Sequence, residues 1–288
     1  MTIFQIFVGV SILVLSFFRP LLYKPVAEKY SSRFSPFFIS IWMVIGIILM
    51  YPFVQSGVKS LVEEVKNNPY SLLAGCLKGG AVWGAVWSSQ FINRKSMSSS
   101  VFFPFISLSL AAVVLNLFFD ENLKFIHLVS IVLLGVLGGC FCAFGDAKRM
   151  NFDEKRMFVI AVLFAGGCSV LDHVGIRGLG WYWYLAVSNI VMFGLAIFRG
   201  LKEWNIKDVF LEKQVAMAGM FTICYEVLLI ASMIAVLPVS FVSFFMRLSA
   251  PVVMVFSAIK FKEQTVKNQL IFGGLAILLA LPMIFVPR

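Results

Sequence analysis

Ten runs of roughly twenty apolar residues, each bounded by charges, prolines or polar clusters, occupy most of this chain. They fall at 3–22, 35–54, 70–91, 99–119, 124–144, 157–176, 180–199, 215–235, 239–260 and 266–286. About 20 apolar residues in a helix cross the ~30 Å hydrocarbon layer of a bilayer. Runs that are apolar on every side suit helices in lipid, whereas the strands of a membrane barrel alternate polar and apolar residues. Only 13% of the 288 residues are charged and 60% are hydrophobic, about half the charged fraction of a soluble domain. A soluble enzyme is excluded. The expectation is an all-α polytopic membrane protein with ten transmembrane helices.

The formal net charge is +10, from 24 Lys and Arg against 14 Asp and Glu. In a soluble protein that balance suggests nucleic acid. Here the basic residues flank the apolar runs, where they set membrane orientation, so no nucleic-acid partner is expected. Connectors after odd-numbered spans carry sixteen Lys and Arg, from Lys24 to Lys267, and the other side carries five, Lys59, Lys66, Lys124, Arg177 and Arg288. The bias places the first group in the cytoplasm and both termini outside an inner or plasma membrane. Met1 to Phe18 lacks the basic start and small-residue cleavage site of a signal peptide, and reads as the first span. Cys76, Cys140, Cys142, Cys168 and Cys224 all lie in apolar runs and read as small core residues. Neither His127 nor His173 completes a metal-ligand spacing with them, and no metal or cofactor is implied.

The charged stretch Asp146 to Arg156 divides five spans from five, which suggests a duplication. Ser16-Phe17-Phe18-Arg19 with Lys24 aligns with Ser169-Val170-Leu171-Asp172 with Arg177 at an offset of 153. Ala74-Gly75 aligns with Ala218-Gly219 at 144, and Asp120-Glu121-Asn122 with Lys262-Glu263-Gln264 at 142. Repeats with an odd number of spans have opposite orientations. The expected organisation is therefore two inverted five-helix repeats, 1–149 and 150–288.

These features resemble the drug/metabolite transporter superfamily, in its ten-helix EamA-type branch. The resemblance rests on the basic residue ending each half's first helix (Lys24, Arg177) and on the acidic turn between each half's fourth and fifth helices. It is clearest in Leu248-Ser249-Ala250-Pro251 running to Phe261-Lys262-Glu263 and Phe272-Gly273-Gly274. It implies a secondary transporter of amino acids, other small metabolites or drugs, with a central cavity lined by helices 1–4 and 6–9. Many members place their termini in the cytoplasm, opposite to the charge count here.

Charges at membrane depth cost about 2.5–3.5 kcal/mol each on insertion scales and mark candidate sites. Arg19, Lys78, Asp172, Glu226 and Arg247 qualify. The repeat register sets Arg19 opposite Asp172 on facing first helices, and Lys78 at a similar depth to Glu226. Each pair reads either as binding groups or as a structural ion pair. Arg247 stands mid-span. Three positive and two negative groups favour a zwitterion such as an amino acid, with an anionic metabolite second, and the carboxylates are candidate carriers of a coupling proton.

Trp42, Trp83, Trp87 and Tyr225 offer stacking surfaces, or simply pack. Trp181-Tyr182-Trp183-Tyr184 reads as an interfacial aromatic belt with one or two members facing inward. Glycines in the third, fifth and sixth spans read as close-packing positions, and Pro104 and Pro251 as bends. The rival readings are a carrier of organic cations or quaternary amines using Glu226 and Asp172, and a lipid flippase. No nucleophile with a partnering base appears, so an enzyme is not expected. A complete transporter of this kind needs only its substrate and the bilayer, as a monomer or homodimer.

Overall fold

A computed structural model describes residues 3–55, 59–119, 124–144, 150–200, 204–234, 239–262 and 265–285. The described residues form helices and connectors, with no strand among them. The helices are α1 (Ile3–Lys29), α2 (Phe34–Val54), α3 (Leu61–Asn67), α4 (Pro69–Lys95), α5 (Met97–Phe119), α6 (Phe125–Phe144), α7 (Phe152–Gly200), α8 (Ile206–Leu211), α9 (Lys213–Ile234), α10 (Val239–Lys260) and α11 (Val266–Phe285). Six segments among the described residues are long and apolar enough to cross a bilayer: Phe7–Lys29, Phe34–Val54, Met97–Leu115, Phe125–Phe144, Phe152–Ile176 and Gly178–Phe198. The chain is a multi-pass α-helical membrane protein. Outward-facing side chains such as Phe53, Phe118, Val132 and Phe198 are exposed, as lipid-facing positions are.

Helix α7 is 49 residues long and is two helices joined at Gly180, whose φ of 68° and ψ of 156° only glycine adopts readily. This break lies where the sixth and seventh runs meet. The sixth run begins earlier than expected. Asp153, Glu154, Lys155 and Arg156 belong to the first turns of α7, not to a connector. The Asn151 side chain accepts from the Glu154 N–H at 2.9 Å, and the Glu154 carboxylate accepts from the Asn151 N–H at 3.0 Å. That reciprocal cap supplies partners for the orphan amides of a helix start, so the charges sit at a helix end. Helix α1 likewise continues past Pro20 and Pro25 to Lys29. The Pro20 carbonyl also accepts from the Asn93 side-chain amide of α4 at 3.3 Å.

Two short helices, α3 and α8, lie in connectors that the apolar pattern leaves blank. Ser60 and Glu63 form a capping box that starts α3. Asn205 caps α8 by accepting from the Lys207 N–H.

Helix α4 holds the middle of the molecule and packs most extensively along both parts of α7. Its glycines explain the close approach. A Cβ on Gly79 would stand 2.5 Å from the Ser188 carbonyl oxygen, and one on Gly84 2.6 Å from the Phe164 ring. Small residues at four- and five-residue spacing let two helices approach to backbone contact, the packing that works where no hydrophobic drive exists between helices in lipid. One core cluster joins α5, α6, α10, α11 and the start of α7 around Phe102, Phe141, Phe158 and Met254. A second joins α1, α2, α9 and the end of α7 around Phe34, Phe37, Phe38 and Met192.

Not every small residue is interior. Cys168 is buried, but Cys224 is exposed, because α9 turns Thr222 and Tyr225 inward and leaves position 224 on the outer face. This corrects the expectation that all five cysteines serve the core. The aromatic run is likewise split. Tyr182 and Tyr184 are buried, while the Trp183 indole N–H donates to the Lys59 carbonyl at 2.7 Å and ties α7 to the segment ahead of α3. Alternate positions near the helix start point to the core, so only part of the run behaves as a belt.

Candidate functional site

The polar interior is built where α1, α2, α4, α7 and α9 meet. Lys78 lies in the first half of α4 and reaches the first part of α7, placing Nζ 2.7 Å and 2.8 Å from the two carboxylate oxygens of Asp172. The same ammonium approaches the Cys168 carbonyl at 3.5 Å, one turn earlier on α7. Side-chain exposure is 15% for Lys78 and 38% for Asp172, so the pair lies at the wall of the interior with its acidic partner the more accessible. Tyr184, beyond the Gly180 break, lies beside that carboxylate. Its ring lies flat against Gly175, where a Cβ would come within 1.9 Å of it.

Arg19 does not pair with Asp172. Its Nε donates to the Tyr23 hydroxyl at 3.4 Å, one turn along α1, and its guanidinium sits 4.8 Å from the centre of the buried Tyr225 ring. Stacking of this kind is worth about 2 kcal/mol when desolvated and leaves most guanidinium N–H groups free to donate. The Tyr23 hydroxyl is also hydrogen-bonded to Thr222 of α9. Thr222 in turn donates to the Ala218 carbonyl at 2.8 Å. Arg19 is therefore tied to α9 through two tyrosines and a threonine.

Nor does Glu226 pair with Lys78. Among the described residues, nothing forms an ion pair or hydrogen bond with its carboxylate. Arg19, Lys78 and Asp172 are its charged neighbours. Glu226 and Ile223, one turn apart on α9, face Met43, Gly46, Ile47 and Met50, which share one face of α2. Leu185 of α7 completes an apolar pocket whose free space is about that of one water molecule. The pocket wall is close-packed at its base: a Cβ on Gly46 would meet the Ile223 side chain at 3.2 Å.

The aromatic candidates divide. Trp42 is used in packing: its indole N–H donates to the Val209 carbonyl at 3.3 Å, its ring fills the notch over Gly219, and Phe210 lies 5.5 Å away. Trp83 packs against Trp87 with ring centres 5.5 Å apart, one turn beyond Lys78 and toward α2 and α7. Arg247 is on α10, and its side chain lies outside the described residues, as do those of His173 and Arg177. The turns at Asp120-Glu121-Asn122 and Glu263-Gln264 are outside them as well.

The structure thus brings Arg19, Lys78, Asp172, Tyr225 and Glu226 into one region but exchanges the expected partners. Sequence position alone does not single out Tyr23 or the methionines of α2, and it places Tyr184 only within an aromatic run with one or two inward members. Tyr23 had a usable signal, since it stands four residues after Arg19 and one turn along the same face. The chain matches no family model and no curated protein sequence.

Proposed function

We propose that the chain is a secondary transporter that moves a small polar metabolite, an amino acid or similar zwitterion, by alternating access. Its two inverted repeats, 1–149 and 150–288, supply ten spans, with both termini outside an inner or plasma membrane. It works without a cofactor, as a monomer or homodimer, and a coupling proton on a carboxylate is compatible with the scheme.

The carrying observation is geometric: Arg19 of α1 lies over the ring of Tyr225, the residue next to Glu226 on α9, yet among the described residues Arg19 and Glu226 form no direct ion pair. Opposite charges held apart accept a molecule with the complementary pair, its carboxylate to Arg19 and its ammonium to Glu226. Lys78 and Asp172 neutralise each other, so of the candidates whose side chains are described one positive group, Arg19, and one negative group, Glu226, remain. The packing supports the repeat reading. Exchanging the two halves sends the contact of α1 with α9 onto that of α4 with α7, and the contact of α1 with α10 onto that of α5 with α7. The contacts of α5 with α10 and of α6 with α11 map onto themselves.

The test is uptake of labelled amino acids by proteoliposomes, with and without an inward proton gradient. Uptake should saturate and be lost in Arg19→Met and in Glu226→Gln. A carrier of organic cations is the second reading, favoured by the apolar walls and two methionines around Glu226. Loss of amine uptake in Glu226→Gln with full activity in Arg19→Met would select it.

A further inference from the structure

We infer that the pocket beside Glu226 receives the side chain of the transported zwitterion and restricts it to short apolar groups of one to three carbons, as in alanine or valine. This rests on the zwitterion reading above and adds the side-chain class.

The geometry points to this in three ways. The ammonium of an amino acid and the first atoms of its side chain leave the same carbon, so a group that binds the ammonium has the side chain as an immediate neighbour. At Glu226 those neighbours are Met43, Ile47, Met50, Leu185 and Ile223, none of which offers a side-chain hydrogen-bond donor or a charge. A polar or charged side chain placed there would lose water without compensation.

The free space is also small, close to one water molecule, which is about the volume of a methyl group. The base has little spare room, since a Cβ on Gly46 would stand only 3.2 Å from the Ile223 side chain. Methionines at positions 43 and 50 are the adaptable walls, with unbranched side chains that shift to admit one or two further carbons. The Tyr182 hydroxyl donates to the carbonyl of Ile47, a wall residue, at 3.1 Å and so joins α7 to α2 beside the pocket.

Binding of glycine, alanine, valine, leucine, phenylalanine, serine and glutamate to the purified protein, measured by calorimetry, tests the inference. Choline and acetate serve as single-charge controls. Alanine and valine should bind about tenfold or more tightly than glycine, phenylalanine and glutamate, since a methylene in an apolar pocket is worth ~10–200-fold. Removing three carbons from the wall with Ile223→Ala should move the optimum to leucine. Met50→Ala, at a half-buried position, should do the same if the first variant does not fold.

Equal binding of all seven amino acids, or a ranking that neither variant moves, overturns the side-chain assignment and leaves the zwitterion reading standing. Binding of choline or acetate with no amino acid bound overturns both.

Discussion

Replacing Lys78 with methionine tests whether the ion pair to Asp172 holds α4 on α7. At 2.7 Å and an effective dielectric of about 20, the gross attraction is about 6 kcal/mol. Taking two charges out of water cancels much of this, and with 38% of the Asp172 side chain exposed, solvent screens part of the remainder. A net coupling of about 2 kcal/mol is expected. Lys78→Met and Asp172→Asn should each cost about that amount, because each strands the other charge. The double variant should cost no more than either single one, because nothing is left unpaired. For a chain of this length, 2 kcal/mol corresponds to about 4 °C of melting temperature. Thermal unfolding of the four proteins in one detergent forms a double-mutant cycle. Single losses that simply add in the double variant would refute the pairing, and so would a Lys78→Met protein as stable as the parent. The exchanged pair Lys78→Asp with Asp172→Lys should recover part of the stability.

Three further expectations follow from the packing. Gly79→Ala places a methyl 2.5 Å from the Ser188 carbonyl oxygen, so it should destabilise by about 1–3 kcal/mol, while Gly80→Ala, nearest to a side chain at 3.9 Å, should be close to neutral in the same melting assay. Gly180→Ala forces a side chain onto a φ of 68° and ψ of 156° and should cost about 1–3 kcal/mol, read as a lower denaturation midpoint. Tyr23→Phe deletes the link from α1 to Thr222 and should cost about 1 kcal/mol. It should also weaken binding of any carboxylate ligand held by Arg19, as measured by calorimetry, since the Nε contact that orients the guanidinium is lost.

Some of this molecule was settled by the chain itself. Length and polarity of an apolar run decide that a segment is helical in lipid, because every backbone N–H and C=O must then find its partner within the segment. The positions of the long helices follow from that, and so does the choice of Arg19, Lys78, Asp172 and Glu226 as residues of interest, since an ion at membrane depth is costly wherever it points. The glycines of α4 announced close packing for a similar local reason.

Partner choice was decided only in three dimensions. An offset between repeats gives the register of two helices but not their rotation or separation, and a shift of one residue turns a side chain by about 100° around the axis. Lys78 consequently met Asp172, and Arg19 met two tyrosines. Helix rotation also turned Cys224 outward and Tyr182 and Tyr184 inward. The pocket beside Glu226 is the clearest case: its walls come from α2, α7 and α9, and its size depends on how far Gly46 and Gly219 let those helices approach. Volumes between helices are properties of packing, and the period of a single helix carries no record of them.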